Sequence, residues 1–321
     1  MARMVTVAAV AWSAAQGQTV DAALVKATDL LRQAAVARPD LVIFPELFLH
    51  AGLPLERWTG CDPLPNPLTD HWGAQARKHA LNLVVPMPVR IGERCFNCAV
   101  VLDRQGRIVG HYAKTHPTTG ELKAGITPGT GPVVHQLDIG RITNTICFDI
   151  NFPGTAEQIQ DLDVDLVCFH SMFAAGQMLN QWALTCGACV LSAYHEESRL
   201  VDMTGQDLAA IGHRYEACRS CNLLPVLTGQ LNFDRRLFHL DYNVADFDGQ
   251  HGGLHRLLAE CPDRVTVDYN FSGGVFALGA REGVSLADLV RCYGLESRCD
   301  YFRRTRRAET EVRATLGSRP A

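Results

Sequence analysis

Residues 21–45 read DAALVKATDLLRQAAVARPDLVIFP. From Asp21 to Val36 the apolar residues Ala22, Ala23, Leu24, Ala27, Leu30, Leu31, Ala34 and Ala35 recur close to the helical period, and Asp21 is suited to cap the first turn. The spacing predicts an amphipathic helix that ends before Pro39-Asp40. Leu41-Val42-Ile43-Phe44 follows as a short apolar run stopped by Pro45, which is the pattern of a strand buried on both faces. Upstream, the β-branched alternation of Val5-Thr6-Val7 reads as a first buried strand rather than as the core of a secretory leader. Strand, helix and strand in that order predict an α/β fold with parallel pairing.

The alternation continues outward. Residues 50–70 are rich in Pro and Gly and read as a surface loop, Asp70–Ala80 as a helix, and Asn82–Val89 as another central strand. Phe96–Tyr112 reads as two strands joined by the turn Asp103-Arg104-Gln105-Gly106, so antiparallel pairs are mixed into the order. Further strands are expected at 133–137, 141–147, 166–170, 189–194, 198–201 and 224–230, with helices near 156–162 and 176–185. No internal repeat and no linker interrupts this series, which predicts one domain of two sheet layers covered by helices. After about Ala245 the chain turns loop-like at Asp246–Gly253, carries one helical stretch over Ser285–Tyr293, and ends in the basic cluster Arg303, Arg304, Arg306 and Arg307.

Composition narrows the function classes. The 321 residues are 47% hydrophobic and 20% charged, an ordinary globular balance, and the formal charge of -4 argues against nucleic acid as a principal partner. No apolar run reaches the roughly 18 to 20 residues of a membrane-spanning helix. Twelve cysteines in a chain of this length, without an export signal, point to reduced thiols in a cytoplasmic protein. Cys95/Cys98, Cys186/Cys189 and Cys218/Cys221 form C-x-x-C pairs, and the last two together have the makings of a four-thiolate zinc site. Against that, each of the first two pairs runs into an apolar strand, where buried free cysteine is common, so no metal and no cofactor is expected.

Three reactive side chains stand at strand ends, where open α/β sheets place their active sites. Glu46 follows Leu41–Pro45, Lys114 follows His111-Tyr112-Ala113, and Cys147 follows Ile142–Ile146. A thiol that attacks an unactivated carbonyl or nitrile carbon needs a base for its proton and a cation or N–H donors for the charge that develops. Cys, Glu and Lys supply those three needs, although each taken alone reads equally well as a buried cysteine or a solvated strand end.

The surrounding residues decide between these readings. Phe44-Pro45-Glu46-Leu47, Lys114-Thr115-His116-Pro117-Thr118-Thr119-Gly120-Glu121 and Ile146-Cys147-Phe148-Asp149-Ile150-Asn151-Phe152-Pro153 occur in that order. On these three signatures the chain, from about residue 4 to about residue 240, resembles the carbon-nitrogen hydrolase (nitrilase) superfamily. The resemblance implies a four-layer α-β-β-α sandwich over residues 1–244, with 245–321 as a C-terminal extension packing on the body or on a neighbouring subunit. It also implies a homodimer or larger homo-oligomer. By position Cys147 is the nucleophile, Glu46 the general base and later acid, Lys114 the group that stabilises the tetrahedral intermediate, and Glu121 the second glutamate, which holds Lys114 or the substrate's amine, with a purely structural ion pair to Lys114 as the competing reading. The N–H of Phe148 completes the oxyanion hole. His170, Ser171, Met172 and Phe173, which follow a buried strand, are expected to contact the substrate with Trp182 behind them, and core packing is the competing reading for Met172 and Phe173.

The sequence departs from the family's pattern at Gly154, where many members have Glu, and at Thr185-Cys186-Gly187-Ala188-Cys189, which replaces R-A-x-E-N. Similarity resumes at Ser198–Asp202 and Gly205. Cys147-Phe148-Asp149 favours an amide or N-carbamoyl substrate cleaved through a thioester, whereas the Lys114–Glu121 segment is closer to nitrilases, which convert a nitrile to acid and ammonia. A non-catalytic scaffold with zinc on Cys186, Cys189, Cys218 and Cys221 is the reading from another class. The expected partners are a small or medium, neutral amide, ureide or nitrile and water, with neither nucleic acid nor membrane.

Overall fold

The opening pattern folds as β1 (Met4–Val10), α1 (Val20–Ala34) and β2 (Leu41–Ile43), in a computed structural model that describes residues 3–212, 225–244 and 252–317. The cap of α1 is Thr19, whose Oγ1 accepts the Ala22 N–H at 3.3 Å. Asp21, expected as the cap, instead falls in the first turn, where its charge suits the helix dipole. Helix α1 buries Ala23, Ala27, Leu30, Leu31 and Ala34, and each fully buried Leu contributes about 2 kcal/mol.

The chain continues through α2 (Pro67–His79), β3 (Asn82–Ile91), β4 (Arg94–Leu102) and β5 (Ile108–Ala113). With β12 (Val226–Asn232) these strands make a six-stranded sheet in the order β12-β1-β2-β3-β4-β5. Strands β1, β2 and β3 are parallel, and β12, β4 and β5 are antiparallel to their neighbours. Because β2 pairs with β3 only over Asn82–Val84, Pro86 and Pro88 lie beyond it, where their missing N–H groups cost β2 no ladder bond. The early end of β2 also leaves the space into which Glu46 turns.

A second six-stranded sheet has the order β11-β10-β9-β8-β7-β6. Its strands are β6 (Val134–Leu137), β7 (Gly140–Ile146), β8 (Leu166–His170), β9 (Cys189–Ala193), β10 (Glu197–Val201) and β11 (Asp207–Gly212), the last not foreseen from the sequence. Strands β7, β8 and β9 are again the parallel centre. Helices α3 (Thr119–Lys123), α4 (Pro153–Leu162) and α5 (Met178–Cys186) complete the layers.

Helices α1 and α2 pack with Val42, Phe44, Val85 and Val100 of the first sheet, and α4 and α5 with Val167, Phe169 and Val190 of the second. The alternate residues Ala9, Ile43, Val84, Ile142, Cys168 and Leu191 are also fully buried, which is the signature of sheets covered on both faces. The result is the α-β-β-α sandwich implied by the sequence.

From Asp234 onward the chain forms a second unit, distinct from the one spanning Met4–Phe233. It contains β13 (Arg235–His239), α6 (Leu240–Val244), α7 (Gly253–Glu260), β14 (Val265–Asn270), β15 (Val275–Ala280), α8 (Leu286–Tyr293) and α9 (Arg298–Gly317). Helix α8 is the stretch foreseen over Ser285–Tyr293, with Ser285 as its cap. The three strands form a sheet in the order β13-β15-β14, and Phe238, Leu254, Leu257, Phe276, Leu278, Leu286 and Leu289 close a core of their own. No helix among the described residues is long and apolar enough to cross a membrane.

Candidate active site

Glu46, Lys114 and Cys147 each leave the end of a short strand and are brought together between the sheets. Pro45 has no N–H to continue β2, so the chain turns and buries Glu46, and the next residue, Leu47, has φ 45°. Lys114 follows β5. Its N–H donates to the Asn97 carbonyl at 2.8 Å, and its own carbonyl accepts the Gly129 N–H at 2.8 Å. A Cβ on residue 129 would lie 2.1 Å from the Ala113 carbonyl, so only glycine lets that segment clamp the lysine backbone. Cys147 follows β7 with φ 48° and opens a 3-10 turn over Cys147–Asn151, which leads into α4 with Pro153 at its first position. A left-handed conformation at a non-glycine residue costs roughly 1–3 kcal/mol and persists only where the surroundings enforce it.

Asp149 does much of that enforcing. Its Oδ2 accepts the Ile146 N–H at 2.8 Å and the Tyr112 hydroxyl at 2.7 Å, and its Oδ1 accepts the His116 N–H at 2.8 Å. One buried carboxylate thereby ties the turn after β7 to both flanks of Lys114. Burial raises the pKa of Asp149 despite these donors.

The charged centre is a closed web. Lys114 Nζ donates to Glu46 Oε1 at 2.7 Å and to Glu121 Oε2 at 2.8 Å. The Asn97 side-chain amide donates to Glu46 Oε1 at 2.8 Å and to Glu121 Oε1 at 2.9 Å. Glu121 is delivered by the capping box of α3, in which Thr118 Oγ1 accepts the Glu121 N–H and Glu121 Oε2 accepts the Thr118 N–H. Glu46 Oε2 is buried and accepts from no N–H or O–H donor among the described residues. The Glu46 carboxylate is coupled instead to the Cys147 thiol.

Burial raises the pKa of Glu46, with Lys114 opposing and the like charge of Glu121 adding to the rise. Burial would also raise Glu121, but Lys114, Asn97 and the Thr118 N–H outweigh it and hold that carboxyl low. Lys114 is disfavoured as a cation by burial, yet the two carboxylates more than compensate and raise its pKa. Cys147 is pushed up to about 12, first by burial and then by Glu46, against Lys114 and the Met172 N–H. The competition that the sequence left open is therefore won by burial, which favours the protonated thiol of Cys147 beside the Glu46 carboxyl. Such a pair can release a proton only as the sulfur attacks.

The other residues expected to contact a substrate are dispersed. Phe148 is half-exposed, with its ring edge-on to Phe152 at 5.5 Å, and Phe152 stacks on His116 at 3.7 Å. The Met172 N–H reaches Cys147, and its side chain packs with Leu47, Trp58 and Ile126. Phe173 lines a surface cavity of about 480 Å³ with Ala174, Ala175, Gly176, Tyr194, Glu196 and Glu197. Ser171 is fully buried, and its Oγ bonds both backbone groups of Phe173. Trp182 lies in the core between α4, α5 and the second sheet, where its indole N–H donates to the Ile150 carbonyl at 3.1 Å. His170 is fully buried, with both ring nitrogens against protein groups.

Asn97 and Tyr112 were not singled out in the sequence, and Asp149 was quoted only within a signature. A polar Asn inside the apolar run Cys95–Leu102 was the available signal for the first. Of the cysteines, Cys186 and Cys189 are buried, whereas Cys218 and Cys221 lie outside the described residues. Among the described residues no three His, Cys, Asp or Glu side chains converge as a metal site.

Residues 6–216 match the family model for carbon-nitrogen hydrolases. A bifunctional nitrilase/nitrile hydratase of Lupinus angustifolius is 28% identical over 167 residues, which are 46% of this chain and 48% of that protein. The deaminated glutathione amidase of Homo sapiens is 25% identical over 168 residues, 46% and 50% of the two chains. The chain thus spans about half the length of the curated relatives it matches. Among solved structures, an amidase from Nesterenkonia sp. superposes with a TM-score of 0.60 at 20% identity, covering 73% of this chain and 92% of that one. Nit3 of Saccharomyces cerevisiae, a member of branch 10 of the nitrilase superfamily, gives 0.61 at 18%, covering 72% and 90%. At these identities the superpositions speak to the fold.

Proposed function

The chain belongs to the carbon-nitrogen hydrolase family, and from that premise we propose that it hydrolyses the C–N bond of a small, neutral amide or N-carbamoyl compound through a thioester on Cys147. Glu46 takes the thiol proton as sulfur attacks the carbonyl carbon, and Lys114 with the Phe148 N–H holds the resulting oxyanion. Glu46 then protonates the departing nitrogen, and ammonia or an amine leaves. Water, deprotonated by Glu46, attacks the thioester, the acid departs, and the sulfur recovers its proton. Glu121 keeps Lys114 charged and in place throughout.

The observation that carries this reading is the division of labour within Glu46: Oε1 is saturated by Lys114 and Asn97, while the carboxylate is coupled to a thiol held protonated. A carboxyl held in place on one oxygen and interacting with one thiol is what a concerted attack requires. Amide over nitrile rests on Cys147-Phe148-Asp149. The second reading, nitrile to acid and ammonia through a thioimidate, rests on the spacing from Lys114 to Glu121. Ammonia release from a panel of aliphatic amides, ureides and nitriles separates the two, together with the mass of the adduct trapped on Cys147 by rapid quench. Amides are expected to lead with an acyl adduct; faster nitriles with an imidate adduct would reverse the order. A homodimer or larger homo-oligomer in a reducing, cytoplasmic compartment is part of the proposal, and light scattering of the purified chain tests the assembly.

A further inference from the structure

The groups that hold Glu46 all belong to the first sheet and its margins: Lys114 follows β5, Asn97 lies in β4, and Glu121 is presented by α3 just after β5. Cys147 comes from the second sheet. Asp149 ties the turn after β7 to the flanks of Lys114, but the turn that carries Glu46 needs a tie of its own to the second sheet. The structure assigns this task to His170: we propose that it is a positioning residue that sets Glu46 against Cys147, not a residue that touches substrate. The proposal rests on Glu46 and Cys147 acting as base and nucleophile.

Four observations carry it. His170 ends β8, where it is the ladder partner of Ile146, the residue before Cys147. Its Nδ1 lies 2.7 Å from the carbonyl of Phe44, two residues before Glu46 and beyond the last paired residue of β2. Its Nε2 lies 3.0 Å from the side-chain amide of Asn144, three residues before Cys147 on β7. The ring is fully buried, and its apolar strand-mates Val167 and Phe169 face the helical layer, so the alternation of β8 turns His170 toward the first sheet. A backbone carbonyl can only accept. A neutral ring therefore carries its proton on Nδ1 and donates it to Phe44. This requires the Asn144 amide, whose Oδ1 stands at Nε2 and whose Nδ2 lies 3.4 Å from His135 Nδ1, to be turned end for end so that its N–H meets Nε2 and its oxygen meets His135. One side chain is thus hydrogen-bonded to the chain segments leading into both φ-positive residues of the site, Leu47 and Cys147.

The consequence is geometric. Without the Nδ1–H donor the Phe44 carbonyl loses its tie to the second sheet, and the turn carrying Glu46 keeps only the indirect link through Lys114 and Asp149. A misplacement of about 1 Å between base and nucleophile costs on the order of 100-fold in rate. The test compares His170→Leu, which fills the space without a donor, with His170→Asn, whose Nδ2 stands where the ring Nδ1 was. Leu is expected to lower kcat by about 100-fold with KM within about threefold, and to slow alkylation of Cys147 by iodoacetamide in parallel. Asn is expected to restore both to within about fivefold of the parent. A Leu variant with unchanged kcat and only a lower Tm would make His170 structural, and a rise in KM alone would make it a substrate contact; either result overturns the proposal. Should the Leu variant not fold, nitrogen NMR of the parent decides, because a proton resting on Nε2 is incompatible with the bond to Phe44. Cys147→Ala is measured alongside: turnover surviving in that variant overturns the proposed nucleophile, whereas its loss with an unaffected His170→Leu overturns the positioning role alone.

Discussion

On the side of β4 and β5, Lys114 and Asn97 hold Glu46 and Glu121 by four hydrogen bonds of 2.7–2.9 Å; on the side of β7 and β8, Cys147 sits on a left-handed turn stabilised through Asp149. The first half is fixed by charge: two carboxylates around one ammonium, all buried, in which Lys114 favours the ionised form of both carboxyls and they favour its own, while Glu121 and burial raise the pKa of Glu46. The second is fixed by backbone, and its reactive atom is kept uncharged by burial. On the proposed roles, the base must stay put and able to take a proton, whereas the thiol has to remain dormant until an electrophile arrives. The two halves therefore face opposite electrostatic demands within one small, dry volume.

The contrast can be broken most severely through Glu46→Gln, which keeps the shape of the base and removes its charge. Turnover is expected to fall by roughly 100- to 10,000-fold. The same change removes the carboxylate that helps to push Cys147 up to about 12, so iodoacetamide alkylation should titrate at a lower pH even as catalysis fails. A titration midpoint that stays or rises would mean that the two halves are not electrostatically coupled.

Lys114→Met attacks the charged half as structure. It leaves Glu46 and Glu121 buried without their cation, a situation that costs about 3–5 kcal/mol, to be read as a lower urea midpoint at pH 8. Because part of the loss comes from forcing two carboxylates to ionise together, it is expected to shrink at pH 5, where one of them takes up a proton. Equal loss at both pH values would contradict the web.

Tyr112→Phe addresses the backbone half and removes one of the three donors to Asp149. A buried acceptor left short of a partner costs about 1–3 kcal/mol, so stability is expected to drop by that amount and kcat by less than tenfold. A larger loss of kcat with no loss of stability would move Tyr112 from support to chemistry.

The smallest expected effect concerns acid. Burial holds the pKa of His170 down to about 4, against 6.5 for an ordinary imidazole. The unfolded ring therefore binds its proton at a pH where the folded ring still refuses it. Its contribution to stability is complete above pH 6.5 and is lost as the pH falls from there toward 4. His50, also held down to about 4 by burial, acts in the same sense. Replacing His170 by Asn should flatten the decline of stability across that window, as measured by urea unfolding at several pH values; an unchanged slope would mean that the ring already titrates in the folded protein.

Glu46, Lys114 and Cys147 were candidates because each stands at the end of a short apolar run, where buried strands leave room for polar groups, and the family resemblance of the surrounding signatures made them legible as one site. Glu121 was legible only through the resemblance, as the match to the family's second glutamate, and the capping box of α3 delivers it to Lys114. Asn97 was not, because strand alternation tells which face a residue takes and not what waits there. His170 and its acceptor Phe44 are 126 residues apart, and no local pattern links them. The sheet of the second unit escaped for another reason: β14 alternates only weakly, with Val265 its one fully buried residue, while α9 is exposed nearly all round, so neither carries the hydrophobic periodicity by which elements are recognised.

Local chemistry thus determined a good deal from sequence alone. Hydrophobic period gave an α/β order of two sheet layers covered by helices, because that depends on which residues can be buried. The family resemblance carried by three short signatures implied the α-β-β-α sandwich and the three side chains that meet in it. Only the tertiary structure decided what the burial does. Whether Cys147 rests as thiol or thiolate depends on the summed effects of desolvation, one ammonium and one carboxylate, each steep in distance at low dielectric. Which polar groups bind the two sheets into one site was likewise settled only when segments far apart in the chain were packed face to face.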